Sequence, residues 1–260
     1  MNKLLDVNNV SISFIQYTKG LKQQNLKVIT DLTLDIEEGE ILAVLGSSGS
    51  GKSLLAHAIL GILPDNADLN GEIKYNGNVL NQKAKEEIRG KEISLIPQSV
   101  NFLDPLMKIA DQVIGECETE EECHEKQIKQ RKIFEKYGLS EDVDNMYPFQ
   151  LSGGMARRVL ISTALLSNPK LIIADEPTGN LDRRSAGAIM KLLAKVAKDK
   201  LVIVVTHNYE DVEDFATRKI EMHDGKVRED ITIKPYEESK VSLHAVSYTH
   251  LRAHETLANL

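Results

Sequence analysis

Four short, almost uninterrupted apolar runs punctuate this chain: residues 41–45 (ILAVL), 93–96 (ISLI), 171–174 (LIIA) and 201–205 (LVIVV). Runs this short, with no polar face, read as strands covered on both sides, the habit of parallel sheets. Residues 7–14 and 32–36 instead alternate apolar and polar positions, as strands with one wet face do. Residues 71–75 before Asn76-Gly77 read as a strand with a turn, and 219–222 and 226–228 around Asp224-Gly225 as a hairpin. Helical patterns lie between. One follows Lys52 and is expected to end at Pro64, because the residue before proline is pushed out of helical backbone. Another covers 120–137 and stops at Gly138; a third runs from Gly154 to Ser167. The last, over 185–198, lines Ile189, Leu192, Leu193 and Val196 along one side. From about residue 99 to 150 strand patterns cease and charged helical segments replace them. We expect a largely parallel α/β sheet carrying a helical insert.

Composition narrows the class. The 260 residues are 42% hydrophobic and 27% charged, ordinary for a globular protein, and hold enough chain for one large domain or a core with an inserted unit. A net charge of −7 argues against a broad nucleic-acid face. The two cysteines, Cys117 and Cys123, fall in an acidic stretch without metal-ligand spacing; a bridge between them is open but unneeded, and free thiols are the expectation. The first residues lack the apolar core of a secretory signal, and no apolar run approaches the ~20 residues that span a bilayer. If the protein serves a membrane, it does so from the side.

The chemistry starts at Gly46-Ser47-Ser48-Gly49-Ser50-Gly51-Lys52-Ser53, between the first buried strand and a helix. Alone, such a run is also a flexible glycine–serine turn. At a strand–helix junction it fits a triphosphate: glycines bring N–H groups close to phosphate oxygens and the helix start adds partial positive charge. Lys52 supplies a point charge for the outer phosphates, and the Ser53 hydroxyl suits Mg²⁺. Asp175 and Glu176 close another buried strand, at the sheet edge where α/β proteins hold ligands. One carboxylate there serves Mg²⁺, directly or through water; its neighbour can polarise an attacking water. His207 ends the last buried strand and is either structural or in contact with the γ-phosphate or the water. Gln98 ends another strand and could reach Mg²⁺ or the water. His57 and His124 read most simply as surface groups. Finally, Ser152-Gly153-Gly154 at a helix start forms a second anion-seeking N-terminus. One nucleotide cannot easily use both within one compact domain. A pair of subunits, each donating this turn to the other's γ-phosphate, resolves the difficulty.

The phosphate loop, Gln98, Leu151 to Gly154, Leu171 to Glu176, Asn180-Leu181-Asp182 and His207 together resemble the nucleotide-binding subunit of ATP-binding cassette (ABC) transporters, in order and spacing, over roughly residues 5–230. The resemblance implies a P-loop NTPase core with a mainly parallel sheet, an antiparallel β subdomain and an inserted helical subdomain. It implies one ABC ATPase domain over 1–235, with the core in 1–98 and 163–235 and the helical part at about 99–162. It implies ATP and Mg²⁺, a head-to-tail homo- or heterodimer with two ATP molecules at the interface, and a separate membrane permease. By that match Ser53 and Asp175 serve Mg²⁺ and Glu176 is the general base. Ser152 and Gly154 act across the interface, and Asp182 couples the two sites. An aromatic near the first strand is expected on adenine, Phe14 first and Tyr17 next. The implied location is peripheral, on the cytoplasmic face of the cell membrane.

Residues 55–64, 103–107 and 147–150 are similar to the oligopeptide, dipeptide and nickel import group, and Met155 in place of the common signature glutamine also occurs there. That points to import of peptides, nickel or metal chelates, with a solute-binding protein as an indirect partner. Residues 178–182 look more like cassettes of lipoprotein- and macrolide-type exporters, and Arg157 stands where the family usually has glutamine. An exporter subunit, a soluble ABC-type ATPase of DNA repair or translation, and a P-loop kinase or GTPase therefore stay open as alternatives. Residues 246–256 resemble a translated sequencing adapter, and the tail over 236–260 is expected to be non-native and is assigned no function.

Overall fold

A computed structural model of the protein describes residues 3–17, 23–37 and 39–233. The tail at 236–260, which holds His244, His250 and His254, lies outside the described residues. In the described part, the first two strands, β1 (Lys3–Tyr17) and β2 (Gln23–Glu37), pair antiparallel from Lys3 opposite Glu37 out to Tyr17 opposite Gln23. With β4 (Ala67–Tyr75) and β5 (Asn78–Val79) they form an antiparallel sheet in the order β2-β1-β4-β5. β1 and β2 are much longer than the alternation at 7–14 and 32–36 suggests. Backbone pairing, with β-bulges absorbing the mismatch, carries polar residues such as Gln23 and Gln24 into the ladder where side-chain alternation gives no sign of it.

The second sheet is built from the buried runs. Its order is β10-β9-β3-β8-β7-β6, using β3 (Ile41–Leu45), β6 (Ile93–Ile96), β7 (Leu171–Asp175), β8 (Leu201–Thr206), β9 (Arg218–His223) and β10 (Lys226–Thr232). All neighbours are parallel except the β9–β10 hairpin at the edge. The period of two then divides each strand between two cores. Ile41, Ala43 and Leu45 join one core with helices α3 (Ile109–Ile114), α4 (Glu120–Lys136), α5 (Gly153–Leu166) and α6 (Arg183–Val196). Leu42 and Val44 face the other way, onto α1 (Lys52–Leu60) and the antiparallel sheet. Burial on both faces explains why these strands carry no polar alternation. The architecture is the expected α/β fold with a mainly parallel sheet and a separate antiparallel one.

Three local expectations need correction. Helix α1 ends before Pro64: Gly61 takes a left-handed φ of 67°, and the N–H groups of Gly61 and Ile62 close on the carbonyls of Ala58 and His57. A glycine cap of this kind stops the helix before the proline can. Helix α2 (Gln82–Ile88), capped by the Asn81 side chain, is an element the sequence reading did not anticipate. Cys117 and Cys123 are not free thiols but a disulfide. The turn at Gly115 and the start of α4 at its Thr119 cap bring their Cα atoms to 5.4 Å, a separation that a bridge needs. Spacing alone carried no sign of that approach.

Candidate functional site

Strand register assembles the site. Parallel pairing sets Leu45 beside Thr206, Asp175 beside Val205, and Ile96 beside Ala174. Whatever follows each strand therefore emerges at one edge: the glycine loop after β3, Gln98 after β6, Glu176 after β7 and His207 after β8. They line one open cavity of about 650 Å³, whose walls include Ser47, Ser48, Gly49, Gly51, Lys52 and Ser53 together with Gln98, Glu176 and His207. Four segments remote in sequence thus converge on the space above the glycine loop.

The loop itself allows little variation. A Cβ at Gly46 would lie 2.3 Å from the Met222 carbonyl oxygen, so only glycine fits against β9. Lys52 opens α1 and folds back, its Nζ donating to the carbonyls of Gly46 at 2.7 Å and Ser47 at 2.9 Å. Burial pulls its pKa below the ordinary lysine value, against the opposing pull of Glu176 and Asp175. The Ser50 hydroxyl is buried and has no hydrogen-bond partner. The Ser53 hydroxyl donates to Asp175 Oδ1 at 3.0 Å. Burial raises the Asp175 pKa; the Ser53 bond opposes it most, ahead of the charge of His57. A serine oxygen and a carboxylate this close form a hard-oxygen pair of the kind that binds Mg²⁺ beside phosphates, so the residues fit that ion. Gln98 adds an amide from the cavity wall.

Glu176 is held in an unusual way. Its backbone is left-handed, with φ of 45°, although it carries a side chain. Its N–H donates to Val205 O at 2.8 Å, and its carbonyl accepts from Gly179 N–H at 3.0 Å. The carboxylate oxygen Oε2 accepts from the Thr206 hydroxyl at 3.3 Å and lies 2.8 Å from His207 Nδ1. This largely buried carboxylate is thereby fixed at the cavity while the imidazole stays exposed. Such a pair can accept a proton from water and keep its orientation while doing so.

The remaining predicted residues lie elsewhere. Ser152 caps α5, its hydroxyl accepting from Met155 N–H at 3.3 Å, and Gly153 and Gly154 form the first turn. Asp182 caps α6, accepting from the N–H groups of Arg184 and Ser185 and from the Ser185 hydroxyl. Neither helix start lines the cavity over the glycine loop. Phe14 is half-buried against the core beneath the antiparallel sheet, and Tyr17 is exposed with its hydroxyl accepting from Gln23. The apolar side chains in the cavity wall are Leu54, in the first turn of α1, and Val28 of β2, the latter remote in sequence from the glycine loop. Nothing short of the hairpin register could have found Val28. Thr206, the polar residue that closes the apolar run of β8, carries no local sign of its bond to Glu176.

The profile of the family described as ABC transporter matches residues 29–179. The oligopeptide transport ATP-binding protein OppD of Bacillus subtilis is 34% identical over 245 residues, covering 90% of this chain and 67% of that protein. The lipoprotein-releasing system ATP-binding protein LolD of Rickettsia bellii is 37% identical over 213 residues, covering 80% and 90% respectively. Among solved structures, the ATP-binding cassette MJ0796, dimeric in a post-hydrolysis state with ADP and Pi, matches with a TM-score of 0.74 at 29% identity, covering 89% of this chain and all of that one.

Proposed function

This chain belongs to the ABC transporter family and is an ATPase, and from that premise we propose how its residues divide the work. The loop N–H groups and Lys52 hold the phosphates of ATP. Ser53 and Asp175, with Gln98, hold Mg²⁺, which when bound offsets phosphate charge. Glu176 takes a proton from the attacking water, and His207 keeps the carboxylate aimed. The observation that carries this reading is the 2.8 Å contact between His207 and Glu176 at the cavity over the glycine loop. Ser152 and Gly154 complete the site of a second subunit, Asp182 couples the two sites, and Phe14 or Tyr17 meets adenine. Its test is Glu176→Gln, which keeps shape but loses the base. Hydrolysis should fall by about 10²–10⁴ while ATP still binds. A variant that hydrolyses ATP at the parent rate would show that the base is another group.

We further propose that hydrolysis powers peptide uptake through a separate permease at the membrane, with a solute-binding protein as an indirect partner. The supporting relatives are the oligopeptide and dipeptide transport ATP-binding proteins; the nickel and metal-chelate part rests on the resemblance of residues alone. No helix among the described residues is long and apolar enough to cross a membrane. Support for docking is an apolar patch beside Gln98: Leu106 is 87% exposed and Phe102 70%, beside a groove of about 530 Å³ lined by Leu103, Leu160 and Ala164. Apolar side chains this exposed, close together along one short segment, suit a partner surface. A charge at Leu106 or Met107 should abolish transport in cells while purified protein keeps its ATPase rate. Loss of ATP binding in those variants would overturn the docking assignment.

A second reading has its own support. Lipoprotein-releasing relatives match at comparable identity, and residues 178–182 look like exporter cassettes. Under that reading the same ATPase drives release rather than uptake. Uptake of a labelled peptide by cells that carry or lack this subunit separates the two. The division into a core of 1–98 and 163–235 and a helical unit of about 99–162 is likewise a proposal, open to limited proteolysis.

A further inference from the structure

Arg157 sits one turn into α5, is 2% exposed, and among the described residues has no carboxylate within ion-pairing distance. A buried cation is unfavourable unless its donors are satisfied. Here the hydrogen bonds of the guanidinium go to backbone carbonyls, and on two separate turns. Nη1 donates to the Pro97 carbonyl at 2.8 Å, while Nη2 donates to the Gln98 carbonyl and, at 3.3 Å, to that of Gly179. The first turn carries Gln98 into the cavity and continues into the exposed apolar segment around Phe102 and Leu106. The second is the Glu176–Gly179 turn, closed on itself by the Gly179 N–H to Glu176 carbonyl bond at 3.0 Å. A planar fork with several fixed donors can hold two chains at a set distance; an ammonium or an amide cannot.

We propose that Arg157 is a positioning residue that locks the Gln98 turn to the Glu176–Gly179 turn, so that both side chains are held over the same cavity and displacement of one turn moves the other. This rests on the roles given above to Gln98 and Glu176, and adds the physical link between them. It also gives the exposed apolar segment a route to the base: one guanidinium bridging the backbone carbonyls of the two turns.

The test is ATPase kinetics of the full chain as parent, Arg157→Gln, Arg157→Lys, Gln98→Ala and the Arg157→Gln/Gln98→Ala double variant, with thermal unfolding of each. Arg157→Gln should lower kcat by about tenfold and move KM for ATP by less than about twofold, since misplacement acts on the chemical step while Lys52 and Ser53 stay in place. In the Gln98→Ala background the same substitution should lose about threefold or less, because one of the two groups it aligns is gone. Arg157→Lys keeps the charge and should still lose kcat about threefold or more, the fork being absent. Equal losses with and without Gln98, a KM effect in place of a kcat effect, or a folded Arg157→Lys with parental kcat would each overturn the link. Should Arg157→Gln fail to fold, the lysine variant alone decides. A parent that does not hydrolyse ATP refutes the function proposed above; a hydrolysing parent with an additive cycle refutes this inference only.

Discussion

Asp175 and Glu176 are neighbours in sequence and opposite in circumstance. Asp175 ends β7 within the sheet, where burial penalises its charge and raises its pKa, with the Ser53 hydroxyl as its hydrogen-bond partner. Glu176, one residue on, turns out of the strand with a left-handed backbone that non-glycine residues rarely take. Strain of this kind is stored where function needs a group in one place. The sign of the Asp175 effect on stability follows from linkage. With its folded pKa raised, the native state holds more protons than the unfolded chain between the ordinary value and the raised one, so stability falls as pH rises through that window. Above the window the penalty is fully present. Asp175→Asn should therefore raise the melting temperature of the nucleotide-free protein at pH 7, with a gain that shrinks as pH falls toward the ordinary carboxylate range. Mg²⁺-dependent hydrolysis should be lost in the same variant. Thermal unfolding at pH 7 decides it; a less stable Asn variant there contradicts the burial account.

Among the elements, α5 carries two different tasks at its start. Its Ser152 cap satisfies a backbone donor, and the next turn sends Arg157 into the interior. Met155 lies between them, half-buried against the core that the helices share with the sheet. A thioether accepts hydrogen bonds poorly and donates none, so nothing polar at this position depends on it. Met155→Gln should leave the ATPase rate within about twofold, whereas Ser152→Ala should lose far more if its hydroxyl serves a second subunit. The cap itself adds a stability loss of about 0.5–2 kcal/mol in the alanine variant. Rates normalised to folded protein separate the two effects, and equal losses in both variants would end this division of tasks.

For the whole molecule, the issue is where the second phosphate-seeking turn finds its phosphate. The Ser152 turn does not line the cavity over the glycine loop of its own chain. In the head-to-tail arrangement proposed above the missing half would come from a second cassette subunit, a copy of this chain or another; MJ0796, at 29% identity, is dimeric with ADP and Pi. Blocking hydrolysis should trap that state. ATP should shift Glu176→Gln from monomer to dimer on size exclusion, the parent should shift weakly or not at all, and Lys52→Ala should never shift. An ATP-bound Glu176→Gln protein that stays monomeric at high concentration would falsify the self-paired dimer.

How much of this was legible beforehand differs by the physics involved. The buried strands, the glycine loop, the acidic pair that closes β7 and the helix start at Ser152 are local matters, written in runs, caps and spacings, whereas the Asp182 cap starts α6 two residues before the expected 185. Sequence alone therefore determined the α/β class and most of the chemical groups, and the family followed from their order. Long-range pairing and packing were not written locally. The extent of the β1–β2 hairpin, the Cys117–Cys123 bridge and Val28 in the cavity wall depend on which backbone lies beside which. The same holds for the contact between His207 and Glu176, 31 residues apart, and for Arg157 reaching carbonyls 59 and 60 residues before it. Sequence spacing cannot predict these, because each is fixed by strand register and by the burial of a helix face, which exist only once the two cores have closed.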